Sequence, residues 1–212
     1  DSSTSRGLGD VYKRQCRCRP LTKHVPRPFF RLYEGETPQE IQTLLTRWIP
    51  KGSRVLELAC GSSRDARFMS GLGAIVEATD GSGPLLKLAE ARAQALLGAE
   101  SPSFSLLCLP PDKGSEDALF ARLPRFDAVY TCGVLQHLSD HELYEGACFM
   151  ERAVTDKGTL IVVVPLDHKG DPDRKTFLRD SLDYATLFER MGFRLASQEI
   201  RDGVGSPGHE CR

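Results

Sequence analysis

The sequence predicts a doubly wound α/β fold with a mostly parallel sheet, and three observations carry that expectation. Short apolar runs alternate with stretches of helical periodicity over residues 37–200, the pattern of strands joined by crossover helices. One run, Thr159–Val164, is almost wholly β-branched, which suits a strand buried on both faces. Glycine-bearing turns follow the apolar runs at Gly61, Gly81 and Gly133. Right-handed crossovers then bring residues 57–61, 80 and 131–133 to one rim of the sheet.

Each element has its own signal. Thr37-Pro38-Gln39-Glu40 reads as a capping box with proline at the first helical position. Ile41, Leu44, Leu45 and Trp48 follow at helical spacing, and Pro50-Lys51-Gly52 ends that helix. Val55, Leu56 and Leu58 make the first strand, and Arg64–Met69 begins a helix. Ala74–Asp80 is a second strand, broken by Gly81-Ser82-Gly83-Pro84, and Leu85–Leu97 is a helix. Phe104–Leu109 is a third strand, with a short helix near Glu116–Leu123. Phe126–Thr131 is a fourth. Ser139-Asp140-His141-Glu142 forms a further capping box, opening a helix to about Thr155. Gly158 restarts the chain into the fifth strand, Thr159–Val164. Leu182–Met191 is a helix ending at Gly192, and Phe193–Ile200 is expected as a sixth strand.

Composition narrows the function. At 212 residues the chain fits one domain with a real core. A net charge of −1 implies no bulk pull towards nucleic acid or anionic membrane. No apolar run approaches the roughly 18 residues of a membrane span, and no signal-peptide core opens the chain. The seven cysteines are odd in number and unevenly spread, which fits reduced thiols in a cytoplasmic protein. Cys16 and Cys18 have no second pair at zinc spacing, so no metal is expected. Ser5–Gln15 (SRGLGDVYKRQ) reads as the translated scar of a sequencing adapter, so residues 1–15 are expected to be disordered and are set aside from fold reasoning. Residues 16–36 form a Pro- and Arg-rich arm whose Phe29, Phe30 and Tyr33 either cover a ligand as a lid or pack under the first helix. The domain proper is then 37–212.

The chemistry concentrates in Arg54–Met69, RVLELACGSSRDARFM. A strand that turns tightly into a helix leaves backbone N–H groups facing a ligand above the strand's end. Glu57 lies just before that turn. A carboxylate there repels a pyrophosphate but attracts an amino group or a sulfonium. That pattern favours S-adenosylmethionine (SAM) over a nucleotide phosphate.

The motifs VLELACGSSRDARF, EATDGSGPLLKLAEAR, FDAVYTCGVLQHLSD, KGTLIVVVP and DYATLFERMGFRL together resemble the class I SAM-dependent methyltransferases of the small bacterial single-domain type, over about residues 38–200. The resemblance implies a Rossmann-like sheet and SAM as cofactor. It further implies that the first loop, with Ala59, Gly61 and Ser62, holds the methionine part of SAM. Asp80, with Gly81 and Ser82 beside it, would take the ribose hydroxyls. The segment from Thr131 and Cys132 onward would lie beside the methionine and the incoming substrate. Ala59 and Ser63 stand where the family carries glycines, and these are the smallest replacements. The family ends on a seventh strand, antiparallel to the sixth. Here the chain stops at Cys211-Arg212, so truncation and an exposed edge are expected.

Individual roles have plainer rivals. Asp80 lies nineteen residues after Gly61 and either accepts the ribose hydroxyls or is a solvated turn acid. Glu57 either faces the ligand or ties down the first-loop amides, and the carbonyls of Ala59 and Thr131 or Cys132 are acceptors for an ammonium. Arg64 either reaches a carboxylate or faces solvent, and Asp65 suits a helix start. His137 is the candidate general base, or else a polar loop residue. Cys108 and Asp112 are both candidates for the adenine. The expected reaction is methyl transfer from SAM to an O, N or C atom of a small-molecule acceptor. An NAD(P)-dependent oxidoreductase would need G-x-G-x-x-G, which ACGSSRDA lacks. A non-catalytic SAM-binding module would keep the fold without turnover.

Overall fold

A computed structural model of the chain describes residues 30–31, 34, 37–166, 176–177 and 179–200. The adapter-like stretch, Cys16 and Cys18, Phe29, Tyr33 and residues 201–212 lie outside the described residues.

Five strands form one parallel sheet: β1 (Arg54–Leu58), β2 (Ile75–Asp80), β3 (Ser103–Leu106), β4 (Phe126–Cys132) and β5 (Val154–Val163), in the order β3-β2-β1-β4-β5. Among the described residues these helices join or flank them: α1 (Gln39–Trp48), α2 (Arg64–Gly71), α3 (Gly83–Leu97), α4 (Lys113–Arg122), α5 (Asp140–Ala153) and α6 (Ser181–Arg190). The strand order reverses direction at β1, so the crevice beside its carboxyl end is a topological switch point, the usual ligand site of such sheets.

The period-2 alternation of the strands sorts the core into two layers. Val55, Val76, Ala78, Ala128, Tyr130 and Ile161 face Ile41 and Leu45 of α1, Ala66 and Met69 of α2 and Leu86 of α3. On the other face Leu56, Leu58 and Val129 pack against Leu119 of α4, Phe149 and Met150 of α5, and Tyr184 and Phe188 of α6. The doubly wound, mostly parallel expectation holds.

Four details differ from the sequence reading. The Thr37 capping box does not form: Pro38 is the N-cap of α1, with no side-chain cap. Its extended backbone (ψ 145°) leaves Thr37 one residue too far out, and the Thr37 hydroxyl donates instead to the Arg64 carbonyl at 3.4 Å. The third strand stops at Leu106 rather than Leu109, because β2, its partner among the described strands, ends at Asp80 opposite Leu106. The boundary between α5 and β5 has no loop, since Val154 is at once the C-cap of the helix and the first residue of the strand. Residues 193–200 form no strand: they pair with none of the five, and an extended segment without a ladder partner is not β structure. Side-chain capping boxes do form at Ser139/Glu142 on α5 and Asp180/Asp183 on α6.

The merging of α5 into β5 is accommodated by an irregularity in the ladder with β4, where Phe126 and Ala128 pair with Val154 and Thr159. Gly158 sits in this bulge. A Cβ there would lie 2.8 Å from the Asp127 carbonyl oxygen and 2.5 Å from Cγ2 of Val154. Backbone cannot yield as a side-chain end can, so Gly158→Ala is expected to destabilise the fold by about 1–3 kcal/mol, read as a lower urea midpoint.

Candidate functional site

Residues paired across a parallel ladder point to the same face of the sheet. Glu57 pairs with Ala78 on β2 and with Tyr130 on β4. Two residues further on, Asp80 and Cys132 therefore share the face of Glu57. The three ends expected on one rim are on one rim, under the start of α2.

Backbone groups at the tip of β1 are satisfied locally. The Thr79 hydroxyl donates to the Glu57 carbonyl at 2.9 Å, and the buried Thr131 hydroxyl donates to the Leu58 carbonyl at 3.3 Å. The Cys60 amide donates to the Thr79 carbonyl at 2.8 Å. The loop that follows winds through the left-handed region at alternate residues: Ala59 (φ 58°), Gly61 (φ 55°) and Ser63 (φ 60°). All three positions have a glycine-like backbone although two carry side chains, at a cost of roughly 1–2 kcal/mol for each non-glycine residue. Ser63 is fully buried, and its hydroxyl donates to the Ala89 carbonyl at 3.4 Å. Asp80 clamps this loop to the next one. Its Oδ2 accepts from the Gly61 amide at 3.1 Å and its Oδ1 from the Ser82 amide at 2.8 Å. Burial pushes the Asp80 carboxyl up, while those two amides hold it down.

Below the loop lies a polar cluster. Glu57 is 4% exposed, and its buried Oε2 has no hydrogen-bond partner. Burial pushes its carboxyl well up, Asp65 and Asp80 push further, and Arg64 and the Ala66 amide work against them. Asp65 is not a surface helix-start acid. It is 5% exposed and accepts from the Tyr130 hydroxyl at 2.8 Å and from Arg64 Nε at 2.9 Å. The Cys132 thiol is pushed up to about 12, chiefly by burial and then by Asp65. Burial likewise raises the thiol of Cys60. Both thiols are therefore held neutral.

The remaining expected residues lie around this centre. The Ser62 carbonyl accepts from Arg67 Nη1 at 2.8 Å, and the residue is buried. Gly81 sits against Cys108, whose Sγ would lie 3.3 Å from a Cβ at that position. Asp112 is the N-cap of α4, and its carboxylate accepts from the Ser115 amide at 3.0 Å and from the Ser115 hydroxyl at 2.8 Å. His137 ends a single 3-10 turn (Leu135–His137) after β4, with its Nε2 3.4 Å from Gln136 Nε2. Gln136 Nε2 donates to the Gly133 carbonyl at 2.8 Å. Phe30 packs on Leu85 and Ala89 of α3 rather than under the first helix, and Glu34 pairs with Arg92 of the same helix. Among the described residues no group of His, Cys, Asp and Glu is arranged to hold a metal ion. Sequence reasoning missed Tyr130, Gln136 and the burial of Asp65. A tyrosine inside a strand reads as core, and an acid in a first helical turn reads as a dipole partner.

No family model matches the chain, and no curated protein does. Solved structures do. Magnesium protoporphyrin IX methyltransferase from Synechocystis, solved with SAM bound, is 18% identical with a TM-score of 0.59, covering 79% of each chain. A TehB-like SAM-dependent methyltransferase from Corynebacterium glutamicum is 19% identical with a TM-score of 0.54, covering 74% of each chain. A phosphoethanolamine N-methyltransferase from Haemonchus contortus, solved with S-adenosylhomocysteine, is 19% identical with a TM-score of 0.62 and covers 79% of this chain and 41% of its own. The chain has the Rossmann-like fold of the class I SAM-dependent methyltransferases.

Two outcomes follow from the loop and the cluster. Ala59→Gly relieves a left-handed alanine, and is expected to raise stability by about 0.5–1 kcal/mol after the greater chain entropy of glycine is counted, read as a higher denaturation midpoint. The raised Glu57 carboxyl favours the folded state while protonated. That contribution is complete below its ordinary value of 4.5 and is lost as pH rises through the folded value. Thermal melts of wild type should therefore decline relative to Glu57→Gln as pH rises above 4.5.

Proposed function

We propose that the protein transfers a methyl group from SAM to a nucleophilic O, N or C atom of a small-molecule acceptor. The observation that carries this reading is the unpartnered, buried Oε2 of Glu57 on the same rim as Asp80. A buried carboxylate oxygen without a donor is costly, and a cationic ligand settling above it removes the cost. A pyrophosphate in the same place would be repelled by Glu57 once it is ionised. That acid and the missing glycines disfavour the rival NAD(P) reading.

In this reading Glu57 and the carbonyls of Ala59 and of Thr131 or Cys132 face the ammonium of the methionine part. Gly61 and Ser62 line the loop, with the Gly61 amide held by Asp80. Asp80, already holding the Gly61 and Ser82 amides, accepts the ribose hydroxyls. Of the two adenine candidates, Cys108 lies against Gly81 beside the ribose acid, whereas the Asp112 carboxylate is engaged at the start of α4. SAM when bound supplies an already activated methyl on sulfur. The chain's own work is then alignment of the acceptor at attack distance and exclusion of water. His137, beyond the end of β4, is the candidate to take a proton from an acceptor O–H or N–H.

Small-molecule acceptors are supported by the solved neighbours, whose names include a protoporphyrin and phosphoethanolamine. The net charge of −1 favours no nucleic acid partner. No helix among the described residues is long and apolar enough to cross a membrane. The four described cysteines are free, which supports a reducing, cytoplasmic setting. We assign the domain to residues 37–212, with 16–36 as an N-terminal arm whose Phe30 packs on α3 and 1–15 as a scar.

Titration calorimetry tests the binding step. SAM is expected to bind and NAD is not. Asp80→Ala should weaken SAM about ten- to hundredfold, the loss of two charge-assisted hydrogen bonds. Equal binding of NAD, or none of SAM, overturns the reading. Formation of S-adenosylhomocysteine over a panel of small metabolites then separates an enzyme from a binding module.

A further inference from the structure

The turn that leaves β4 holds two polar side chains in a fixed relation. Gly133 is anchored to the neighbouring strand, its amide donating to the Val163 carbonyl at 2.9 Å. The single 3-10 turn that follows closes with the His137 amide on the Val134 carbonyl, also at 2.9 Å. From the segment before α6, the Phe177 amide donates to the Gln136 carbonyl at 2.7 Å. Arg179 Nη2 donates to the Leu138 carbonyl at 2.8 Å and to Asp140 at 2.7 Å. Gln136 is 6% exposed, so its carboxamide has little room to turn. Its Nε2 donates to the Gly133 carbonyl at 2.8 Å and lies 3.4 Å from Nε2 of the half-buried His137. A carbonyl only accepts, so the amide nitrogen and not Oε1 belongs against Gly133. That orientation leaves Oε1 buried without a partner; the reverse one would set two acceptors face to face. The amide nitrogen carries two hydrogens, one used on Gly133 and one left for the imidazole. A ring nitrogen that receives a hydrogen bond offers its lone pair, so the proton of the neutral ring sits on the other nitrogen.

We propose that Gln136 is a positioning residue that fixes the neutral His137 ring as its Nδ1–H tautomer, leaving Nε2 as the atom that takes a proton from the acceptor. The role of Nε2 rests on the methyl-transfer reading and deepens it, whereas the tautomer stands on the turn alone. A free histidine side chain favours the proton on Nε2, so without a neighbour to set it the lone pair would mostly lie on Nδ1. At 3.4 Å the Gln136 contact is long for a hydrogen bond. It therefore biases the ring and still yields to an O–H or N–H that approaches Nε2. In the transfer that bond breaks, its proton goes to Nε2 and the ring becomes an imidazolium. The electron pair left on oxygen or nitrogen forms the bond to the methyl carbon, and the pair of the broken C–S bond stays on sulfur. Gln136 acts through His137 and moves no proton itself.

Long-range proton–nitrogen NMR of the full chain, without cofactor, reads the tautomer directly. The chain has 5 histidines, and the ring signal that disappears in His137→Asn is that of His137. Above the ring's own titration midpoint, wild type is expected to show a protonated Nδ1 and an unprotonated Nε2. Gln136→Met keeps the length of the side chain but cannot donate. It should move the ratio of Nδ1–H to Nε2–H about two- to tenfold towards Nε2–H, which is what one hydrogen bond is worth. Gln136→Glu places an acceptor at the same point and should make Nε2–H the major form. A residue that served the fold alone would not reverse the tautomer. A wild-type ring protonated on Nε2, an unchanged ratio in Gln136→Met, or Nδ1–H retained in Gln136→Glu each overturns the inference. Should one variant not fold, wild type and the other variant decide. Loss of the tautomer leaves the methyl-transfer reading standing. Failure to bind SAM removes the proton transfer to Nε2 and leaves the tautomer in place.

Discussion

The geometry of the site depends on one carboxylate. Asp80 ends β2 and accepts two backbone amides, one from the loop after β1 and one from the turn after β2. Charge-assisted bonds to amides are about twice as strong as neutral ones, and here they join two loops that have no ladder between them. The Thr79 and Thr131 hydroxyls complete the arrangement by closing off the last carbonyls of β1. What is left uncommitted at the rim is therefore selective: backbone groups of the loop and one oxygen of Glu57. Generic folding requirements have been met, and the remainder is available for recognition.

The loop after β1 shows how a backbone shape outlasts the residues that favour it. Glycine is the ordinary occupant of the left-handed region because it has no Cβ to clash with the following carbonyl. Ala59 and Ser63 adopt that region all the same. Cys60 fastened to β2 and Gly61 fastened to Asp80 leave no other path for the chain. Strain of this kind persists where surrounding contacts over-determine it, and such places cluster at ligand sites.

Much of this was legible in the sequence, for physical reasons that differ by element. Strand cores and crossover helices announce themselves by period, since burial on a sheet face and on a helix stripe have different spacings. The rim was legible because glycine turns mark strand ends, and parallel strands put those ends together. Where a feature depends on a partner distant in the chain, the sequence was silent or misleading. Residues 193–200 have the composition of a strand, but a strand exists only in its pairing. Thr37 has the spacing of a cap, but the backbone at Pro38 carries its hydroxyl away to Arg64. The burial of Asp65 depends on Tyr130, a contact across 65 residues that no local pattern encodes.

The sheet separates its labour by face. Leucine, phenylalanine and methionine from α4, α5 and α6 fill one side, and every ionisable group of the cofactor-side cluster projects from the other. Drift or redesign in the greasy half can thus proceed without disturbing the pH-sensitive machinery, so long as the strands keep their spacing.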